Sequence, residues 1–203
     1  MKKIILSIVL LNLVIFAKEV KFDFENVKVG DVPQNWKCTY KWEVQQDTPD
    51  NRVLSMVKNK RRFLGYSWGF NTCFTKNIKF YNGTISVDFR ANSGKIDEGG
   101  GIMWRVQDKN NYYIVRFNPL EDNFTYYKVI NGNRIELKNR DIKLTKGWHT
   151  ITIKQNGEKF EGYIDGKKLL SYKDKSIDKS GGVGLWTKTD AKTSFDNLTI
   201  VQR

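Results

Sequence analysis

Alternation is the feature that most restricts this chain. Short runs in which apolar and polar side chains take turns recur along it, bounded by Asn, Asp, Gly or Pro. Successive side chains on an extended strand point to opposite faces, so each such run buries one face and shows the other. The clearest case is Trp148–Lys154 and Lys159–Ile164, which flank Gln155-Asn156-Gly157-Glu158; Asp165-Gly166 then turns the chain into Lys167–Tyr172. Asn-Gly and Asp-Gly between alternating runs are strong hairpin signals, because these residues tolerate the left-handed dihedrals of tight hairpins. Glu19–Glu25 (Val20, Phe22 and Phe24 to one side) and Thr84–Arg90 alternate as well, and Trp42–Gln46, Val53–Val57, Gly181–Lys188 and Ser194–Val201 read as further strands. A short strand ends near Leu137 after the Asn131-Gly132-Asn133 turn. About twelve short strands without an amphipathic helix predict an all-β fold, an antiparallel β-sandwich forming a single domain over residues 18–203.

The stretch Gly99–Val129 carries the centre of that sandwich. Ile102–Gln107, Tyr112–Phe117 and Phe124–Ile130 read as strands, joined by turns at 108–111 and 118–123. A regular hairpin would pair Gln107 with Tyr112, Trp104 with Val115 and Met103 with Arg116. One face would then hold Ile102, Trp104, Val106, Tyr113, Val115 and Phe117 as core. The other would hold Met103, Arg105, Gln107, Tyr112, Ile114 and Arg116, with the two arginines as neighbours. Arginines on an open sheet face are ordinarily just its solvated side. Aromatic plates beside guanidinium forks, however, also suit hydroxyl-rich or anionic ligands.

The first residues stand apart from the fold. Lys2 and Lys3 precede an apolar run from Ile4 to Phe16 that ends at Ala17 before Lys18-Glu19. This describes a secretory signal peptide over residues 1–17, cleaved after Ala17. The run is short for a membrane span, and no cysteine near the cut suggests a lipid anchor. The expectation is an exported protein, with a bacterial periplasm as its destination and no transmembrane anchor after cleavage. The two cysteines, Cys38 and Cys73, fit an oxidising compartment and are expected to pair, the alternative being two buried thiols. Formal charge is +13, and removing Lys2 and Lys3 leaves 13 − 2 = +11. For an exported protein that balance argues against nucleic acid and toward an anionic cell-envelope polysaccharide or membrane surface. The lysines are scattered, though, and solubility accounts for them equally well.

Several strings resemble the 3-keto-disaccharide hydrolase family. They are Gly101-Ile-Met-Trp-Arg-Val-Gln-Asp-Lys-Asn-Asn-Tyr-Tyr-Ile-Val-Arg-Phe-Asn118, Leu120-Glu-Asp-Asn123, Gly147-Trp-His149, Tyr163-Ile-Asp-Gly-Lys167, Gly184-Leu-Trp-Thr-Lys-Thr-Asp190 and Phe195-Asp-Asn-Leu198. The resemblance implies a concanavalin-like jelly roll, akin to family-16 glycoside hydrolases, with a sugar-related role on its concave sheet. Tyr-Ile-Asp-Gly-Lys and Phe-Asp-Asn-Leu recur across such domains and speak to fold more than to function.

Hydrolysis of an ordinary glycoside uses two carboxylic acids about 5–10 Å apart. Glu19, Asp23 and Glu25, interrupted by Lys21, approach the alternating acids of a family-16 site but sit on the first strand. Asp97-Glu98 and Glu121-Asp122 are adjacent pairs in loops, and neighbours on a strand would point apart. The family-16 catalytic pattern is missing. The single histidine, His149, stands at a strand start in a structural position, and no Cys/His cluster suggests zinc. No cofactor is expected, although loop Asp and Asn residues could build a structural calcium site.

Cleaving a 3-keto sugar demands less. The ketone acidifies its neighbouring C–H, so one base and one electrophile for the enolate suffice. Arg105, Arg116 and Lys188 are candidates for the oxyanion partner, and Glu121, Asp122 and Asp190 for the base. Tyr112, Asn118, Asn123, Tyr127 and Trp186 are the remaining candidates for substrate binding. Trp186 either stacks on a sugar or packs inside; Asn118 and Asn123 either meet the sugar or shape their turn. The leading expectation is a carbohydrate-interacting jelly roll that binds or processes a glycoside. The first alternative is a 3-keto-glycoside hydrolase or lyase, and the second a structural cell-envelope protein.

Overall fold

The computed structural model describes residues 18–39, 41–58 and 69–203, among which every regular element is a strand. In chain order these are β1 (Lys18–Phe22), β2 (Trp36–Cys38), β3 (Lys41–Thr48), β4 (Asn51–Lys58) and β5 (Phe70–Phe80). β6 (Gly83–Ser93), β7 (Gly100–Asp108), β8 (Asn111–Asn118), β9 (Asn123–Ile130) and β10 (Asn133–Asp141) follow. The last are β11 (His149–Asn156), β12 (Lys159–Ile164), β13 (Lys167–Lys173), β14 (Gly181–Lys188) and β15 (Lys192–Gln202). Residues 1–17, and the part of the aromatic stretch from Phe63 to Trp68, lie outside the described residues.

Two antiparallel sheets form the sandwich. One runs β13-β12-β11-β6-β15-β4-β3, with β1 also on β15; the other runs β10-β9-β8-β7-β14-β5-β2. The Asn-Gly and Asp-Gly hairpins form where alternation placed them: Gly157, Asp165 and Gly166 all take positive φ, at 59°, 49° and 76°. Inward side chains of both sheets make the core, including Phe80, Ile85, Val87, Phe89, Ile102, Val115, Ile151, Ile153, Leu185 and Phe195. Trp104 stacks on Tyr113 at 5.5 Å between ring centroids, and Tyr126 meets Phe160 edge-on at 4.9 Å. A Trp104 buried in this way must place its indole N–H, and it donates to Gln155 Oε1 at 2.8 Å.

The central hairpin departs from the regular pairing. Observed partners are Gly101 with Arg116, Ile102 with Val115, Met103 with Ile114 and Trp104 with Tyr113; the register then slips before Asp108 meets Asn111. β7 therefore carries a bulge, and its first residue, Arg105, has φ of +48°. A bulge residue changes which face the following side chains take. Val106 consequently leaves the core face and joins Met103 and Ile114 on the other side. Arg105 is fully buried and donates to three loop carbonyls: Tyr81 O at 3.0 Å, Ile177 O at 2.8 Å and Gly157 O at 2.7 Å. Its guanidinium also lies 4.1 Å from the Tyr81 ring. The extra residues let this side chain tie three turns together, which a regular strand could not do.

Two further differences matter. β1 ends at Phe22 rather than Glu25, because Phe24 takes φ of +61° and turns inward. Glu25 is not a solvated strand residue; its carboxylate accepts the Arg52 amide at 2.8 Å. β2 and β5 were not legible as strands, and they carry Cys38 and Cys73, which face each other in register and are disulfide-bonded.

Candidate functional site

The outer face of the seven-stranded sheet collects side chains that the core does not use. On β8 these are Tyr112, Ile114, Arg116 and Asn118; cross-strand partners on β9 are Val129, Tyr127, Thr125 and Asn123. Gly101 on β7 lies between Arg116 and Trp186 in register. A Cβ there would strike the Val115 carbonyl, so this row stays flat beneath any occupant. Trp186 faces outward with Met103, Tyr112, Ile114, Tyr127 and Phe74, and its ring lies 5.5 Å from Phe70. It belongs to the outer cluster rather than to the core between the sheets, and it is fully buried there beneath its neighbours.

At one end of this face stand two ion pairs of opposite polarity. Arg116, 2% exposed, donates to Glu121 Oε2 at 2.7 Å; Glu121 is 47% exposed. Asp97, 2% exposed, sits 3.0 Å from the Lys188 ammonium, which is 22% exposed. Each buried charge thus holds a more exposed counter-charge from beneath. Arg116 is held in turn by Asn123 Oδ1 at 3.0 Å and the Tyr127 hydroxyl at 3.0 Å. Asn118 donates to Asp97 Oδ1 at 3.2 Å, and its own Oδ1 accepts the Leu120 amide at 2.9 Å, so it shapes the turn and supports the site together.

The pairs sense one another. Burial disfavours the Glu121 carboxylate, but the hydrogen bond and charge of Arg116, helped by Asn123 and Lys188, outweigh it and hold the pKa below the ordinary glutamate value. Burial wins at Asp97, whose pKa is raised despite the bond to Lys188 and the nearby Arg116. The result is an exposed carboxylate held in its ionised form that feels the charge of a partly buried ammonium nearby.

Other expected residues are placed elsewhere. Asp190 is engaged as a loop clasp: its carboxylate accepts the amides of Lys95 at 2.8 Å, Ile96 at 3.1 Å and Asp97 at 3.0 Å. Those amide bonds overcome its partial burial and lower its pKa. It positions Asp97 rather than facing a substrate. Asp122 points to the surface, 4.0 Å from Lys143 and apart from both pairs. Arg105 lies in its carbonyl cage at the bulge and does not neighbour Arg116. Tyr112 is buried on the outer face beside Trp186. His149 spans Asp165 Oδ2 at 2.7 Å and the Thr145 carbonyl at 2.9 Å. Burial opposes its charged form, yet those two acceptors raise its pKa. Among the described residues no group of His, Cys, Asp and Glu could hold a metal ion.

Asp97 is the residue that sequence reasoning passed over. It reads as one of two adjacent acids in a polar loop, and only the fold brings it to Lys188. Arg134 and Phe70 are likewise added by topology, from strands whose alternation is weak.

Residues 28–201 match the family model of the 3-keto-alpha-glucoside-1,2-lyase-like domain. Among solved structures, the carbohydrate-binding module CBM66 from Bacillus subtilis is 19% identical, with a TM-score of 0.66 over 82% of this chain and 95% of that one. The Bacillus licheniformis beta-glucanase is 12% identical, with a TM-score of 0.62 over 91% and 98%. A Bacteroides ovatus mixed-linkage glucan GH16 protein is 10% identical, with a TM-score of 0.65 over 89% and 99%. At these identities the structural likeness establishes the jelly-roll fold. No curated protein matches in sequence.

Proposed function

The chain belongs to the 3-keto-alpha-glucoside-1,2-lyase-like domain family, and on that premise we propose that it binds a 3-keto glycoside on the outer face of the seven-stranded sheet and cleaves it by elimination. The observation that carries this reading is that exposed Glu121 lies near enough to feel the charge of partly exposed Lys188, each of the two anchored by a buried counter-ion. Glu121 takes the acidic proton from the carbon beside the ketone. The electron pair left behind is stabilised as an enolate, with its oxygen facing the Lys188 ammonium. It then forms the C1–C2 double bond as the glycosidic C–O bond breaks, and the leaving alkoxide takes a proton from water. Arg116 and Asp97 are positioning residues, because each acts through the partner it holds.

The test is release of the free alcohol from a 3-keto-α-glucoside by the purified protein. Glu121→Gln removes the base and should slow release on the order of 100-fold or more; Lys188→Met should slow it comparably. Full activity in Glu121→Gln would reject the site. A second reading, recognition without turnover, is favoured by the 2.7 Å bond that occupies a Glu121 oxygen. Saturable binding with no release would select it.

Export belongs to the same reading. Its support is the Lys2-Lys3, apolar and Ala17 sequence of the first residues together with the Cys38–Cys73 bond, which persists best in an oxidising compartment. The secreted protein should begin at Lys18 by mass spectrometry, and a mature chain still starting at Met1 would contradict it.

A further inference from the structure

At one end of the sandwich a cavity of about 200 Å³ opens between the two sheets. Its floor is Phe89 of β6 and Phe117 of β8, one ring from each sheet, 6.1 Å apart. One wall is the β10–β11 loop, residues 142–148, which contributes Leu144 to Gly147. Two hydrogen bonds fix that loop. Near its start the Ile142 amide donates to the Asp122 carbonyl at 2.8 Å. Toward its end the Thr145 carbonyl lies 2.9 Å from Nε2 of His149, and Nδ1 of the same ring lies 2.7 Å from Asp165 Oδ2.

The chemistry of these partners places the protons. A backbone carbonyl can only accept, so Nε2 carries a hydrogen. Asp165 is 49% exposed, and its other oxygen already accepts the Thr150 amide at 2.9 Å, a setting that suits an ionised carboxylate. An ionised carboxylate also accepts only, so Nδ1 carries a hydrogen too. Both bonds therefore exist together only in the imidazolium; a neutral ring has one N–H and gives one bond up. The bond to the carboxylate is the stronger, so the neutral ring keeps that one and loses Thr145. Lys146 in the loop and Glu98 across the cavity are the charged groups that line it with His149. On β6, Asp88 is engaged by Thr150 and Asn197, and Arg90 by Asp47 and the Trp148 ring.

We propose that His149 is a pH-operated latch on this loop: as imidazolium it clamps Thr145 to the β12–β13 turn and keeps the cavity walled, and as neutral imidazole it releases Thr145 and leaves that wall free to open. The two acceptors raise the folded pKa above the ordinary histidine value of 6.5. The latch is therefore fully engaged below 6.5 and is lost as pH rises through the folded value.

The chain has a single histidine, so NMR of the nitrogen-15-labelled protein reads its ring nitrogens without ambiguity. The ring should titrate with a midpoint above 6.5 and carry both protons on the acid side. Backbone order parameters of residues 143–148 should be about 0.85 on that side and fall toward roughly 0.6 with the same midpoint. Asp165→Asn keeps the ring, removes its charged partner and should move both midpoints down together. His149→Phe keeps a ring against Phe89 and should leave the loop mobile at every pH. A midpoint at or below 6.5 or a ring with one proton on the acid side would overturn the latch. Loop order parameters that ignore the midpoint, or midpoints unmoved by Asp165→Asn, would overturn it equally. Glycoside turnover enters none of these readings, so the latch and the cleavage reading stand or fall separately.

Discussion

Lys188 and Asp97 show how one buried charge dictates its neighbour. A carboxyl whose folded pKa lies above its ordinary value of 3.8 favours the folded state when protonated. Its contribution is therefore greatest at acid pH and is lost as pH rises through the folded pKa. Lys188 limits that loss, so Lys188→Met should destabilise the protein by about 3 kcal/mol at neutral pH, the lower end for breaking a buried pair, since the ammonium is partly exposed. The gap between variant and parent should narrow on acidification, as Asp97 becomes neutral; thermal unfolding followed from pH 7 downward reads it, and a gap independent of pH would contradict it. Glu121 runs the other way. Its lowered pKa keeps it ionised below the ordinary glutamate value of 4.5, so a role as base survives mild acid. Arg116, Asn118, Glu121, Asn123, Tyr127, Trp186 and Lys188 were candidates in the sequence through the turn signals and the motifs that resemble the family. Asp97 could not, because its meaning comes from a loop folding back onto a strand end that is distant in sequence.

At the scale of strands and turns, the β7 bulge decides the site more than any single side chain does. Had the hairpin been regular, Arg105 and Arg116 would have shared the outer face as neighbours. The slip sends Arg105 to the Tyr81, Gly157 and Ile177 carbonyls and brings apolar Val106 outward instead. Alternation alone cannot reveal a bulge, because the extra residues leave the local pattern intact and change only its partner. Arg105→Ala leaves those carbonyls unmet in the interior and should cost about 3 kcal/mol in denaturant unfolding. Sugar affinity per folded molecule should not change; a specific loss of affinity would return Arg105 to the site. β5 and β2 escaped notice for another reason. Phe70-Asn-Thr-Cys-Phe74 is buried on both faces and so does not alternate. The Cys38–Cys73 bond fastens these two strands across a sequence separation of 35. Reduction should lower stability by about 3–4 kcal/mol in the chain-entropy picture, and calorimetry with and without reductant would measure it. An unchanged transition would show that the bond constrains little.

Across the whole molecule the two sheets divide the work. Their facing sides make the aromatic and aliphatic core, while the outer side of the seven-stranded sheet gathers charge and aromatic rings. Family membership and the jelly roll were both readable in the sequence, since hairpin turns and strand patterns are local features. Which face carries the chemistry was readable only in part, because it depends on register. Among the described residues no helix is long and apolar enough to cross a membrane, and the proposed chemistry needs only the sheet face. The central claim is that Glu121 removes a proton from the carbon beside the ketone. Proton NMR of a 3-keto-α-glucoside incubated with the purified protein tests this directly. The account predicts that the C2–H signal disappears in step with release of the alcohol, in the parent and not in Glu121→Gln. Release of the alcohol with the C2–H retained would contradict it.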